Sequence, residues 1–126
     1  MSEQSLYQRI GGYDAIAAAV DDALARLLSD AAVKAYFDHM SLDETRKLRQ
    51  HFIDFLVEAA GGPAYYIGRD MRTTHVGMGI TDAQWDAFVA DISSTLDHLQ
   101  VPERECSEVL TLMGTLKQEI VESSAA

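Results

Sequence analysis

Four histidines, His39, His51, His75 and His98, and one cysteine, Cys106, carry the most adaptable side-chain chemistry in this chain at neutral pH. Imidazole is the commonest side-chain metal ligand and titrates near neutrality. His39 stands beside Asp38 between predicted helices, where solvation accounts for it. His98 falls in the last turn of a predicted helix, where the dipole favours a cation. His75 has no adjacent acid, and Met71 precedes it by one helical turn. The Met71 carbonyl can therefore take the Nδ1 proton and leave Nε2 free for a metal, the orientation that a ligating histidine needs. No second histidine, cysteine or carboxylate stands three or four residues from His75, which disfavours a metal cage built from protein alone. Cys106 lies near Val109 and Leu110 and reads as a small apolar group.

The elements that must position these groups are helical. Ile16, Val20, Leu24, Leu27 and Leu28 share one face of a helix that follows Gly11-Gly12 and runs to about Asp30. A short helix is expected over 31–37. Ser41 with Glu44 forms a capping box, so a long helix should open near Leu42 with the stripe Leu48, Phe52, Leu56 and Ala59, broadened by His51 and Phe55. Gly61-Gly62-Pro63 ends it. Within 64–79 only about 71–76 suits a helix. Thr81 with Gln84 opens another, to about Leu99. Pro102 suits the first turn of a last helix, where Glu103 and Glu105 complement the dipole, and Val109, Leu110, Met113, Leu116 and Ile120 form its apolar face. The result is an all-α chain of four substantial helices plus short pieces. A plain four-helix bundle would use short loops, so the long connection at 61–80 has a task beyond joining helices.

At 126 residues and 48% apolar content the chain is expected to form one domain, 1–122, with a flexible tail at 123–126. Ten basic and twenty acidic residues leave a formal charge of −10. That surface repels phosphate backbones and anionic lipid, so nucleic acid and membranes are not expected partners. No apolar run approaches the roughly 20 residues of a membrane span. The start, Met1-Ser2-Glu3-Gln4, lacks the pattern of a signal peptide. With a single cysteine, these features make a reducing, cytoplasmic setting the expectation.

A lone imidazole facing an apolar cavity suits haem iron, where the porphyrin supplies four ligands. The run Gly61-Gly62-Pro63-Ala64-Tyr65-Tyr66-Ile67-Gly68-Arg69-Asp70-Met71-Arg72-Thr73-Thr74-His75 resembles the truncated haemoglobins, most closely their first group, in the pattern GGP-x-x-Y-x-G-x-x-M-x-x-x-H. The following His75-Val76-Gly77-Met78-Gly79-Ile80-Thr81 is also similar to that family, as are the opening Leu6-Tyr7-Gln8-Arg9-Ile10-Gly11-Gly12 and the aromatic pair Tyr36-Phe37. The resemblance implies a two-over-two helical sandwich around haem b (iron protoporphyrin IX), with His75 as the proximal iron ligand. It places Phe37, Leu48, Phe52, Leu56, Met71, Trp85 and Phe88 around the haem. Tyr66 and Arg69 are placed either at the propionates or on solvated surface.

Family members that bind oxygen often carry a tyrosine midway along the second helix, hydrogen-bonded to the gas. Leu24 takes that place here, and Leu48 and Phe52 fall where polar distal residues are common. His51 is the polar group left on that stretch. It either ligates the iron as an internal sixth ligand, to be displaced by gas, or points along the haem edge and leaves a dry pocket. Three functions follow. The first is reversible binding of oxygen, nitric oxide or carbon monoxide, of the oxygen-transport type. The second is conversion of nitric oxide to nitrate, or a redox or electron-transfer role or weak peroxidase activity, with electrons from an unidentified reductase. The third is a helical interaction module without haem. Either a monomer or a weak dimer is expected.

Overall fold

The computed structural model of the chain describes residues 4–64, 66 and 70–122. Arg69 and the tail at 123–126 lie outside the described residues. The elements run α1 (Leu6–Arg9), α2 (Tyr13–Ser29), a 3₁₀ turn (Lys34–Tyr36), α3 (Leu42–Ala59), α4 (Met71–His75), α5 (Asp82–His98), α6 (Glu103–Gly114) and α7 (Lys117–Ile120). Among the described residues no strand forms, and no helix is long and apolar enough to cross a membrane.

Helix starts follow local chemistry. The Ser41 hydroxyl accepts from Glu44 N at 3.1 Å while the Glu44 carboxylate accepts from Ser41 N at 3.2 Å. Thr81 and Gln84 exchange the same pair of bonds at 3.2 and 3.1 Å. A third box, Ser5 with Gln8, opens α1. A cap of this kind contributes about 1 kcal/mol. Three stretches differ from expectation. Pro102 is extended and caps α6 from outside, because its carbonyl, not its ring, enters the helix by accepting from Cys106 N at 2.9 Å. The last apolar face is also broken: the Thr115 hydroxyl turns back to the Leu112 carbonyl at 2.6 Å, α6 ends at Gly114, and α7 is a separate short helix. In the 31–37 stretch only Lys34–Tyr36 is helical, as a 3₁₀ turn.

α2 packs on both α3 and α5, and α5 packs on α6, which sets the pair α2/α3 over the pair α5/α6. Ile16, Val20, Leu24 and Leu27 of α2 are buried with Ile53 and Val57 of α3. Leu28, expected on that face, is instead exposed. Ala23 joins Ile92, Leu96 and Met113 in a second cluster that ties α2 to α5 and α6. Burying one such side chain contributes roughly 1.5–3 kcal/mol. At the edges, Arg49 of α3 grips Asp21 of α2 at 2.5 and 3.0 Å. Arg9 holds α1 on α6 by bonds to Glu105, at 3.0 Å, and to both Glu108 oxygens.

α3 carries two apolar stripes where one was expected. Ile53 and Val57 form a fully buried one, continued by Ala60 just past the helix end. Leu48, Phe52 and Leu56, the stripe read from periodicity, are half-buried, and Ala59 is exposed. A helix with an apolar arc this wide has a second face to cover after α2 has taken the first.

One polar contact between the layers is strained by charge. Burial and the adjacent Asp30 carboxylate push the Asp91 carboxyl of α5 up to about 6, against a smaller opposing pull from Arg26. The Asp91 Oδ2 atom is buried without a hydrogen-bond partner. Asp30 accepts from Ala32 N at 3.0 Å and keeps its charge below the usual range. A raised carboxyl pKa means that the fold binds this proton more tightly than the unfolded chain does. The stabilisation is therefore present below about pH 4 and lost as the pH rises through about 6. Asp91→Asn, neutral at every pH, should be more stable than the parent at pH 7 by on the order of 1–2 kcal/mol, with the gap closing by pH 4. Urea unfolding at both pH values measures it, and a gap independent of pH would mean that the Asp91 carboxyl does not carry the difference.

Candidate functional site

α4 is five residues long and rests on its ends. Asp70 caps it, accepting from Thr73 N at 3.4 Å. At its other end the His75 ring is half-buried, and its Nδ1 lies 2.7 Å from the Met71 carbonyl oxygen. A carbonyl only accepts, so Nδ1 carries the proton and Nε2 is left with its lone pair. This is the arrangement expected from the spacing of Met71 and His75. Among the described residues no group of three or more His, Cys, Asp or Glu side chains gathers to hold a metal ion.

The apolar side chains that the resemblance assigns to the haem come from four elements. Phe37, Leu48, Phe52 and Leu56 are half-buried and pack on the α2/α3 core. Met71 packs on a third cluster of Ile80, Trp85 and Ile120. Phe88 of α5 touches all three clusters, and its ring lies 5.7 Å from that of Trp85. Trp85 itself is buried. The 3₁₀ turn that precedes Phe37 is fixed to α5 by polar bonds. The Tyr36 hydroxyl donates to Gln84 Oε1 at 2.9 Å, and Gln84 Nε2 donates to the Ala32 carbonyl at 3.3 Å. The sequence reading took Gln84 for a cap alone and missed this second task.

The polar residues are placed less uniformly. His51 is exposed on α3, with its ring edge-on to that of Tyr66 at 5.9 Å between centroids. It does not share the half-buried stripe of Leu48 and Phe52. Tyr66 also meets Phe55 edge-on at 5.3 Å, and its N–H donates to the Glu58 carboxylate at 2.5 Å. Leu24 is buried in the α2/α3 core. An apolar cavity of about 350 Å³ lies between α1, α2, α3, α5 and α6. Phe52 and Leu56 form part of its wall, and His75 does not.

These residues suit haem. One imidazole whose Nδ1 is committed to the Met71 carbonyl would offer Nε2 to a porphyrin iron, and the half-buried Leu48, Phe52 and Leu56 would offer apolar surface for the ring. A family model described as bacterial-like globin matches residues 5–122. The chain belongs to that family, as a truncated haemoglobin of group 1. Membership implies a haem cofactor and supports the binding of diatomic gases in general. The group 1 truncated hemoglobin GlbN of Mycolicibacterium paratuberculosis is 30% identical over 121 residues, covering 96% of this chain and 87% of that protein. The Synechocystis GlbN is 34% identical over 114 residues, covering 87% and 90%. Among solved structures, the truncated hemoglobin of Tetrahymena pyriformis in its Fe(III) form superposes with a TM-score of 0.87 at 28% identity, over 95% of this chain and all of that one. A Synechococcus 2/2 hemoglobin with covalently attached heme gives 0.82 at 32% identity, over 92% and 95%. The two-over-two packing of α2/α3 on α5/α6 is thus the truncated globin fold.

Proposed function

We propose that this chain is a haem b protein that reversibly binds oxygen, carbon monoxide or nitric oxide at an iron held by His75. The observation that carries this reading is the half-buried His75 ring with Nδ1 committed to the Met71 carbonyl, which leaves Nε2 for a metal; the half-buried apolar stripe on α3 supports it. When bound, haem supplies an iron with a coordination position open to gas. Phe37, Leu48, Phe52, Leu56, Met71, Trp85 and Phe88 pack around the ring and exclude water, and Tyr66 meets the propionate edge. Uncharged diatomic molecules partition readily into apolar space, and the cavity walled by Phe52 and Leu56 lets them wait next to the site.

Leu24 brings no hydroxyl to the gas. A neutral hydrogen bond contributes about 0.5–1.5 kcal/mol, so its absence lets oxygen leave up to roughly tenfold sooner. That argues against nitric oxide conversion to nitrate, which needs oxygen held until the second gas arrives and a reductase to supply electrons.

His51 stays off the iron in this reading, supported by its exposure and its ring contact with Tyr66. An internal ligand that held the iron nine-tenths of the time would lower apparent gas affinity about tenfold. The absorption spectrum of haemin-loaded protein, ferric and then dithionite-reduced, tests the whole reading. A Soret band with a broad high-spin ferrous spectrum is expected, and carbon monoxide uptake by His51→Ala should match the parent. Sharp low-spin ferrous bands, with His51→Ala binding carbon monoxide several-fold faster, would instead make His51 the sixth ligand and favour a redox role. Without a Soret band the haem reading fails.

A further inference from the structure

After His75 the chain turns through Val76, Gly77, Met78 and Gly79, with Gly77 at φ 85° and Gly79 at φ 67°. Glycine takes this left-handed backbone without a steric cost, and successive N–H groups in such a turn can converge on an anion. Here the anion belongs to the far end of the same chain. One carboxylate oxygen of Glu122 accepts from Gly77 N at 3.0 Å and the other from Gly79 N at 2.7 Å. The Glu122 N–H donates in turn to the Ile80 carbonyl at 2.9 Å. Val76 N is bonded to the Arg72 carbonyl at 2.9 Å and Met78 N to the His75 carbonyl at 3.2 Å, so every amide from Val76 to Gly79 has a partner.

The same C-terminal segment reaches the other side of α4. Ile120 is buried with Ile80 and Trp85, and Met71 packs against that cluster. The Met71 carbonyl is the group that orients the His75 ring. A five-residue helix is too short to hold its own geometry, so ties from outside must set it.

We propose that Glu122 is a positioning residue for the His75 imidazole: its carboxylate clamps the turn after α4 and so fixes the direction in which Nε2 meets the haem iron. The proposal rests on the haem reading above. Charge-assisted bonds to backbone N–H groups are roughly twice as strong as neutral ones, which suits a clamp on a turn with no apolar anchor of its own. Lys117 offers a control. It ties α7 to Asp82 of α5 at 3.2 Å, and among the described residues its ammonium bonds to no residue of the turn.

The test compares the parent with Glu122→Ala, Glu122→Gln and Lys117→Ala, each loaded with haemin and reduced. Resonance Raman reads the iron–imidazole stretching band, hydrogen exchange reads the Gly77 and Gly79 amides, and haem transfer to apomyoglobin reads haem loss. Glu122→Ala should shift and broaden the band, speed exchange of both amides, and release haem about tenfold faster, equivalent to about 1.4 kcal/mol. Glu122→Gln keeps one uncharged acceptor and should fall between parent and alanine. Lys117→Ala should leave the band in place. An unmoved band in Glu122→Ala, or an equal movement in Lys117→Ala, overturns the proposal while the haem reading stands. Failure of the parent itself to take up haemin overturns both.

Discussion

His75→Ala should yield a folded chain that loses haem more than about a hundredfold faster than the parent, equivalent to some 2.7 kcal/mol. The prediction follows from the shape of the site. His75 ends a short helix whose cap, Asp70, and whose carbonyl partner, Met71, do not depend on the imidazole for their own bonds to the backbone. The fold is anchored elsewhere, in the α2/α3 and α5/α6 layers. On the proposed reading, removing the ring takes away the donor to the iron and leaves the apolar surround, which can still associate with a porphyrin loosely. Circular dichroism should be close to that of the parent, haem transfer to apomyoglobin should be fast, and added imidazole should restore the spectrum by taking the vacated space. Haem retention like the parent's would mean that another side chain holds the iron.

Ile53→Ala should cost about 2–5 kcal/mol, a large part of the 5–15 kcal/mol that holds a domain of this kind together. Ile53 is 0% exposed at the centre of the α2/α3 contact, among Val20, Leu24, Leu27 and Val57. Truncation leaves a cavity in a region where both helices are pinned by further buried side chains and cannot close on it. Ile53→Val should cost only about 0.5–1.5 kcal/mol. Urea unfolding of the two variants measures the difference. A loss below 1 kcal/mol in the alanine variant would mean that α3 takes its place from haem, not from α2.

Ile53 also marks the limit of what periodicity could reveal. The apolar positions of α3 cover more than one face, and a reading that seeks a single stripe settles on Leu48, Phe52 and Leu56 because they align best. Only the packed structure separates the face that α2 buries from the face left for something else. Helix starts at Ser41 and Thr81 were legible because a capping box is local chemistry, and the Ser5–Gln8 box that opens α1 carried the same signal unread. The Met71–His75 bond was legible for a similar reason, since both partners lie within one turn. The position of His51 was not, because it depends on the ring of Tyr66, which a long connection returns to α3. Nor was the Glu122 clamp. Its bonds run from one carboxylate to backbone amides more than forty residues earlier, and no side-chain pattern marks an amide as a binding partner.

Gly62 shows how closely the start of the 61–80 connection is fitted. A Cβ there would stand 2.4 Å from Tyr7 Cδ1 and 2.7 Å from Val57 Cγ1, so the glycine lets α1 lie directly over the end of α3.

The cavity between the helix layers bears on a variable so far left aside, hydrostatic pressure. Close packing makes most protein interiors nearly incompressible, and an apolar cavity of about 350 Å³ is a departure from that rule. Compression favours whichever state of a molecule occupies less volume, so loosely packed regions yield to it first. This fold should therefore soften under pressure from the inside outward. The Phe52 and Leu56 side of α3 would yield before the Ile53 side, and a gas such as xenon, by filling the void, would stiffen it again.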